Sequence, residues 1–180
     1  MGTMTKQLEL VGMEIQRHDW SAMLCGCGES GAHLPALLLE LAAQPEDGAG
    51  IGYEGVARHV VSPADMFLET APSVVAVAMA VLASQTPEYA RVAYLQMVLS
   101  ILSADTQAPV PALAGRDVAA ECEAEVRRGL WTLYAEVLSS ESIDARSHAY
   151  EILTLIEEDE ERLERLQAAA GERLPWDLRS

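Results

Sequence analysis

The stretch TAPSVVAVAMAVLASQ, residues 70–85, decides the fold class, because it is apolar on nearly every side of a helix. Thr70 is a residue type that caps helices, and Pro72 suits the first helical turn. A helix without a polar face has to be surrounded by other elements. The stretch therefore predicts a helix buried in the middle of the fold.

The segments on either side also have helical periodicity. Residues 33–44 place leucines at positions 34, 37, 38 and 41, after Pro35 in the first turn, and residues 86–102 repeat the Thr-Pro start. Residues 117–140 predict one long amphipathic helix, and residues 53–61 fit a short helix or a strand. The prediction is an all-α single domain over residues 1–180 with about seven helices of mean length near 12 residues. It has an N-terminal segment at 1–17 and a proline-rich internal loop at 105–117.

The charge disfavours several classes of function. The formal net charge is −16, it is divided equally between the two halves of the chain, and Lys6 is the single lysine. An acidic surface repels nucleic acid and anionic lipid and attracts cationic partners. The longest apolar run, residues 71–83, is shorter than the roughly 20 residues that span a bilayer. With three cysteines and no apolar leader at the N-terminus, we expect a cytoplasmic protein that binds neither nucleic acid nor membranes.

The stretch CGCGESGAHLP, residues 25–35, suggests a metal site, a reactive thiol pair or a turn. His18 and His33 could complete four ligands with Cys25 and Cys27. Structural zinc sites, however, usually space their cysteines by two to four residues, and here a single glycine separates them. The flanking glycines favour a turn in which small thiols pack. We therefore predict a turn with no metal and no cofactor.

Three stretches resemble a HEAT-like repeat family that is frequent in actinobacteria: residues 20–41, 65–82 and 139–156. The resemblance covers most of residues 18–156. It implies a short right-handed α-solenoid of helical hairpins. It also implies structural roles for the following residues: Trp20, Gly28, Pro35, Thr70 and Pro72. Asp144 and Arg146 would form a pair that links repeats.

The leading functional hypothesis is a non-catalytic module that presents an acidic helical surface to a basic protein or peptide. The candidate binding residues are Glu121, Glu125, Glu136, Glu151 and Glu158, with Arg58 and His59 as weaker candidates. No catalytic motif is found, and the acidic run at 157–161 is more typical of a solvated helix start. The oligomeric state stays open.

Three other functions stay open. The first is an immunity or antitoxin-type protein that neutralises a basic effector. The second is an accessory or catalytic protein of natural-product biosynthesis with an apolar cleft between repeats, lined by Met23, Met66, Phe67, Met97 and Trp131. The third is a HEAT-like DNA glycosylase, which the negative charge disfavours.

Overall fold

A computed structural model describes residues 8–44, 52–60, 69–104 and 115–179. Within these ranges the regular structure is helical, with no strand and one isolated antiparallel bridge between Leu24 and Ser30. The α-helices, in chain order, are α1 (Glu9–Gln16), α2 (Leu34–Ala42), α3 (Tyr53–Val60), α4 (Ala71–Leu82), α5 (Glu88–Leu102), α6 (Val118–Arg128), α7 (Leu130–Ser139), α8 (Ile143–Ile156) and α9 (Glu160–Ala170). Short 3-10 turns occupy Trp20–Ala22, Gly31–His33, Gly171–Arg173 and Trp176–Leu178. The all-α prediction is confirmed for the described part.

The apolar stretch lies where its composition predicts. Eleven of the twelve residues of α4 are buried, and the helix packs against α1, α5, α6 and α7. Pro72 occupies the first turn. The capping prediction for Thr70 is wrong, because its side chain makes no capping hydrogen bond. Its buried hydroxyl has no hydrogen-bond partner among the described residues.

The largest contacts between helices are as follows. Helix α4 lies against α6, α5 lies against α8, and α7 lies against α8. Helix α3 contacts α2 and α5. A buried tyrosine joins two of these helices, since the Tyr94 hydroxyl in α5 donates to the Leu38 carbonyl oxygen in α2 at 2.6 Å. These contacts make one continuous core and fix α3 beside the turn that precedes α2.

The single long helix predicted over residues 117–140 is wrong, because the chain breaks at Gly129 between α6 and α7. Gly129 has φ −105° and ψ 17°, outside the helical range. A β-carbon at this position would lie 2.5 Å from Met79 Cε and 3.2 Å from Met79 Cβ, so α4 approaches the break closely. With this break and with α1 in the predicted N-terminal segment, the described part has nine α-helices rather than about seven.

Two further sequence predictions fall partly outside the described ranges. The ambiguous stretch at 53–61 is helical over Tyr53–Val60. Of the internal loop at 105–117, residues 105–114 are outside the description, and Asp117 at its end caps α6 by accepting from the Ala120 N–H at 3.0 Å. None of the described helices is both long and apolar enough to span a membrane.

Candidate functional site

The site begins with a tight turn at Cys25 to Gly28. The Gly28 N–H donates to the Cys25 carbonyl at 2.9 Å, and the Cys25 N–H donates to the Glu29 carbonyl at 2.8 Å. Gly28 has φ 86°, a left-handed conformation that favours glycine. The turn predicted from the sequence is therefore present, and it reverses the chain so that the cysteines lie next to His33.

Helix α3 adds a residue that the spacing did not indicate. The carbonyl oxygen of His59 accepts from the Gly26 N–H at 3.0 Å, which docks the end of α3 on the turn. The His59 ring then lies against the sulfur of Cys25, with Nδ1 at 3.3 Å from Sγ. His33 Nε2 lies 3.2 Å from His59 Nδ1, and the imidazole rings of His33 and His59 meet edge to face.

Two thiols and two imidazoles thus converge at one point, which we call the Cys–His cluster: Cys25, Cys27, His33 and His59. Their four ligand atoms all lie within 4.8 Å of one another. His33 Nε2 lies 3.5 Å from Cys25 Sγ and 3.9 Å from Cys27 Sγ. Thiolate sulfur and imidazole nitrogen are the donors that zinc and related transition metals prefer. Among the described residues, the Cys–His cluster is therefore a candidate metal site.

The four residues of the cluster differ in burial, and burial shifts the pKa values of Cys25 and His59. Cys25 and His59 are 2% and 7% exposed, His33 is half-buried, and Cys27 is exposed. Burial raises the pKa of the Cys25 thiol to about 11; the backbone N–H groups of Cys27 and Gly26 oppose this effect, and the Cys27 thiol adds to it. Burial also lowers the pKa of His59, assisted by the nearby His33 and Arg58. Because a nucleophilic cysteine needs its thiolate form near neutral pH, this environment disfavours Cys25 as a reactive thiol.

His18, the other candidate ligand, belongs to a different group. Its Nε2 lies 3.0 Å from Glu14 Oε1 and its Nδ1 lies 3.1 Å from Ser73 Oγ. A Ser–His–Glu arrangement is also the pattern of a hydrolase triad. Ser73, however, is only 7% exposed, and its hydroxyl also contacts Met23 Sδ at 3.5 Å. We therefore interpret the group as hydrogen bonding that supports the fold.

The predicted acidic residues divide into exposed and buried ones. The side chains of Glu121, Glu151 and Glu158 are 40%, 42% and 86% exposed. Glu125 is 16% exposed and pairs with Arg17 and Arg128. Placing Glu136 on a binding surface is wrong, because its side chain is 4% exposed and forms an ion pair with Arg91.

The residues given structural roles are placed as follows. Trp20 is buried and its indole N–H donates to the Ile15 carbonyl at 2.8 Å, and Pro35 lies in the first turn of α2. Arg146 donates to the carbonyl oxygens of Ser142 and Glu141 at 3.3 and 3.2 Å. Among the described residues it forms no ion pair with Asp144, and the repeat-linking role that the resemblance implies for these two residues stays a prediction.

The described members of the proposed apolar cleft do not share one surface. Met97 is fully buried, whereas Trp131 is 70% exposed and stacks beneath the Arg162 guanidinium, 5.7 Å from the ring centroid. Met23 is half-buried near Ser73, and residues 66 and 67 lie outside the described ranges. The described residues therefore give no support to a cleft lined by this set.

The acidic run at 157–161 begins α9, as its position indicates. Asp159 caps the helix by accepting from the Arg162 N–H at 3.0 Å. Glu157 is not solvated, since its side chain is 7% exposed. Burial alone would raise the pKa of Glu157, but hydrogen bonds from the Tyr134 hydroxyl at 2.7 Å and from Arg162 hold this pKa below its ordinary value.

Comparison of the chain with protein-family models, curated proteins and solved structures gave no match. The functional argument therefore rests on the site geometry and on the distribution of charge.

Proposed function

We propose that the chain is a non-catalytic interaction module, a short right-handed solenoid of HEAT-like hairpins, which binds a basic protein or peptide. The packing supports the hairpin arrangement if α6 and α7 together count as one bent helix. In that case α4 and α5 form one hairpin, and α6–α7 and α8 form the next. The first helices of the two hairpins pack together (α4 on α6), and so do the second helices (α5 on α8).

The observation that carries the binding proposal is that most arginines of the chain already bind acceptors within the fold. Seven arginines form ion pairs with carboxylates of this chain: Arg17, Arg91, Arg116, Arg127, Arg128, Arg162 and Arg165. Three more donate to backbone carbonyl oxygens: Arg146, Arg173 and Arg179. The positive charge of these ten arginines is thus engaged within the described part of the fold, while the net charge of −16 leaves a surplus of carboxylates. This surplus favours a cationic partner.

Among the described residues, helix α9 offers such a partner an exposed acidic surface, although Glu158 and Glu161 also pair with Arg127 and Arg165. Glu160, Glu161 and Glu164 are exposed on it, and Glu158 precedes it. Carboxylates of this kind attract a basic protein over a distance and raise its association rate. The effect weakens as salt shortens the Debye length, to about 8 Å at physiological ionic strength. A salt-sensitive association rate is therefore expected.

The test uses charge reversal with a control of equal net charge. The purified chain, immobilised, captures proteins from cells of its source, and the association rate of a captured protein is measured at low and high salt. Glu160→Lys with Glu164→Lys should slow association more than Glu9→Lys with Glu54→Lys, which changes two exposed residues of α1 and α3. Inhibition of a captured basic protein would favour the immunity-type function.

Two outcomes contradict the proposal. Capture of acidic proteins alone would exclude an electrostatic site for cations. Retention of duplex DNA at moderate salt would show that the acidic surface does not determine the partner.

A further inference from the structure

We propose that the Cys–His cluster binds one zinc ion through Cys25 Sγ, Cys27 Sγ, His33 Nε2 and His59 Nδ1. This replaces the metal-free turn that the spacing of the cysteines favoured. The site is separate from the acidic surface proposed above, and each can be tested without the other.

Four of the six donor–donor distances in the cluster lie within about 0.3 Å of those in a tetrahedral zinc site. With zinc–sulfur bonds of about 2.3 Å and zinc–nitrogen bonds of about 2.05 Å, tetrahedral angles place nitrogens about 3.3 Å apart and sulfur about 3.6 Å from nitrogen. The nitrogens of His33 and His59 lie 3.2 Å apart. Cys25 Sγ lies 3.3 and 3.5 Å from the nitrogens of His59 and His33, and Cys27 Sγ lies 3.9 Å from His33 Nε2. The remaining two distances involve the Cys27 sulfur and are no longer than 4.8 Å, so zinc binding would mainly require the exposed Cys27 side chain to move inward.

A turn that only buried its thiols would not require this convergence. Packing explains the burial of Cys25, but it gives no reason for two imidazole nitrogens and the exposed sulfur of Cys27 to point at the same place. Four donors around one centre fill a zinc coordination shell and leave no open position. The geometry thus favours a structural zinc site over a catalytic one.

The donor types select the metal. Two thiolates with two neutral imidazoles suit zinc, whereas calcium and magnesium prefer oxygen donors. Two thiolates also balance the charge of Zn²⁺, so the ion adds no net charge where Cys25 and His59 are buried. The ion would join the turn at residues 25–33 to α3, next to the hydrogen bond between Gly26 and His59.

Arg58 opposes zinc binding and gives the proposal a second test. Its Nε donates to His59 Nε2 at 3.3 Å, which requires the His59 proton to be on Nδ1. Zinc on Nδ1 would move that proton to Nε2, and the hydrogen bond would be lost. Zinc binding has to break this hydrogen bond, so removal of the Arg58 side chain should increase zinc affinity; because Arg58 is exposed and can turn away, the increase should be only several-fold.

The experiment measures zinc and cobalt binding by the full chain prepared without a histidine tag. After removal of metals by a chelator, the chain is titrated with zinc against a chromogenic competitor, and separately with Co²⁺. We expect one equivalent of each, with the strong visible bands of tetrahedral cobalt and a sulfur-to-cobalt charge-transfer band. Cys27→Ser should weaken zinc binding at least about a hundredfold, more than the loss of a supporting group outside the ligand shell. Because Cys27 is exposed, this variant should keep its fold.

The controls are a thiol and an imidazole outside the cluster. Cys122→Ala and His148→Asn should keep one equivalent of zinc, and Arg58→Ala should bind it more tightly. The proposal is overturned if the chain binds less than half an equivalent at micromolar zinc. Equal loss of zinc from Cys27→Ser and His148→Asn would also overturn it, as would a cobalt spectrum without thiolate charge transfer.

Discussion

The ion pair between Arg91 and Glu136 should contribute strongly to stability, because it lies largely out of water. Arg91, in the first turn of α5, is 22% exposed, and Glu136, near the end of α7, is 4% exposed. The Arg91 guanidinium also donates to the Ser84 carbonyl at 3.0 Å, and burial lowers its pKa. The pair therefore fixes α5 against α7 with two partly desolvated charges.

Arg91→Met removes one charge and leaves the Glu136 carboxylate buried without its partner. Breaking a buried pair in this way costs about 3–5 kcal/mol, and the residual exposure of Arg91 places the expected value near 3 kcal/mol. For a chain of this size, such a loss corresponds to a fall of roughly 6–12 °C in melting temperature. The double variant Arg91→Met with Glu136→Leu should recover to within about 1 kcal/mol of the parent, since both charges are gone.

Urea and thermal unfolding, followed by far-ultraviolet circular dichroism at neutral pH, measure these differences. The matched control is Arg165→Met, which breaks an ion pair with Glu161 whose side chains are 75% and 72% exposed. The control should cost no more than about 0.5 kcal/mol. Equal losses in Arg91→Met and Arg165→Met would refute the reasoning, and so would a double variant as unstable as Arg91→Met.

Three further predictions concern metal, backbone and pH. Free zinc at a hundred times its Kd should stabilise the parent chain by about 2.7 kcal/mol, read as a rise in melting temperature that Cys27→Ser does not show. Gly129→Ala should destabilise by roughly 1–3 kcal/mol in urea unfolding, because its β-carbon meets Met79, whereas Gly12→Ala in α1 has open space and should stabilise slightly. The lowered pKa of Glu157 stabilises the fold above the ordinary value of 4.5, and this contribution is lost as pH falls through the lowered pKa. Glu157→Gln should therefore reduce stability at pH 7, and unfolding measured at successively lower pH should show the difference shrinking below about pH 4.5. A constant difference would contradict this reading.

The parts of the fold that the sequence predicted are those set by local pattern. Helix α4 has no polar face, so its burial followed from composition alone. The break at Gly129 lies against Met79, which is distant in sequence. The helical periodicity of residues 117–140 continues through Gly129 and therefore does not indicate the break. The sequence around Glu136 is likewise typical of an exposed helical carboxylate. Only the packing of the fold shows that Arg91 of α5 pairs with it.

The Cys–His cluster was predictable only in part. Cys25, Cys27 and His33 are close in sequence, and they were recognised as candidate ligands on that basis. His59 reaches them because α3 docks on the turn, which no spacing rule indicates. His18 was the nearest remaining histidine in the sequence, but it lies against Glu14 and Ser73.

The unequal burial of the four cluster residues would set an order for the exchange of a bound ion. Cys27 is exposed, whereas Cys25 and His59 are closed off from solvent. A competing chelator would therefore displace the Cys27 sulfur first, while the buried pair still held the ion. Dissociation would then be slow and stepwise, and only the displacement of Cys27 would depend on the chelator concentration. The lifetime of the metal on this protein would accordingly be governed by how readily the end of α3 separates from the turn.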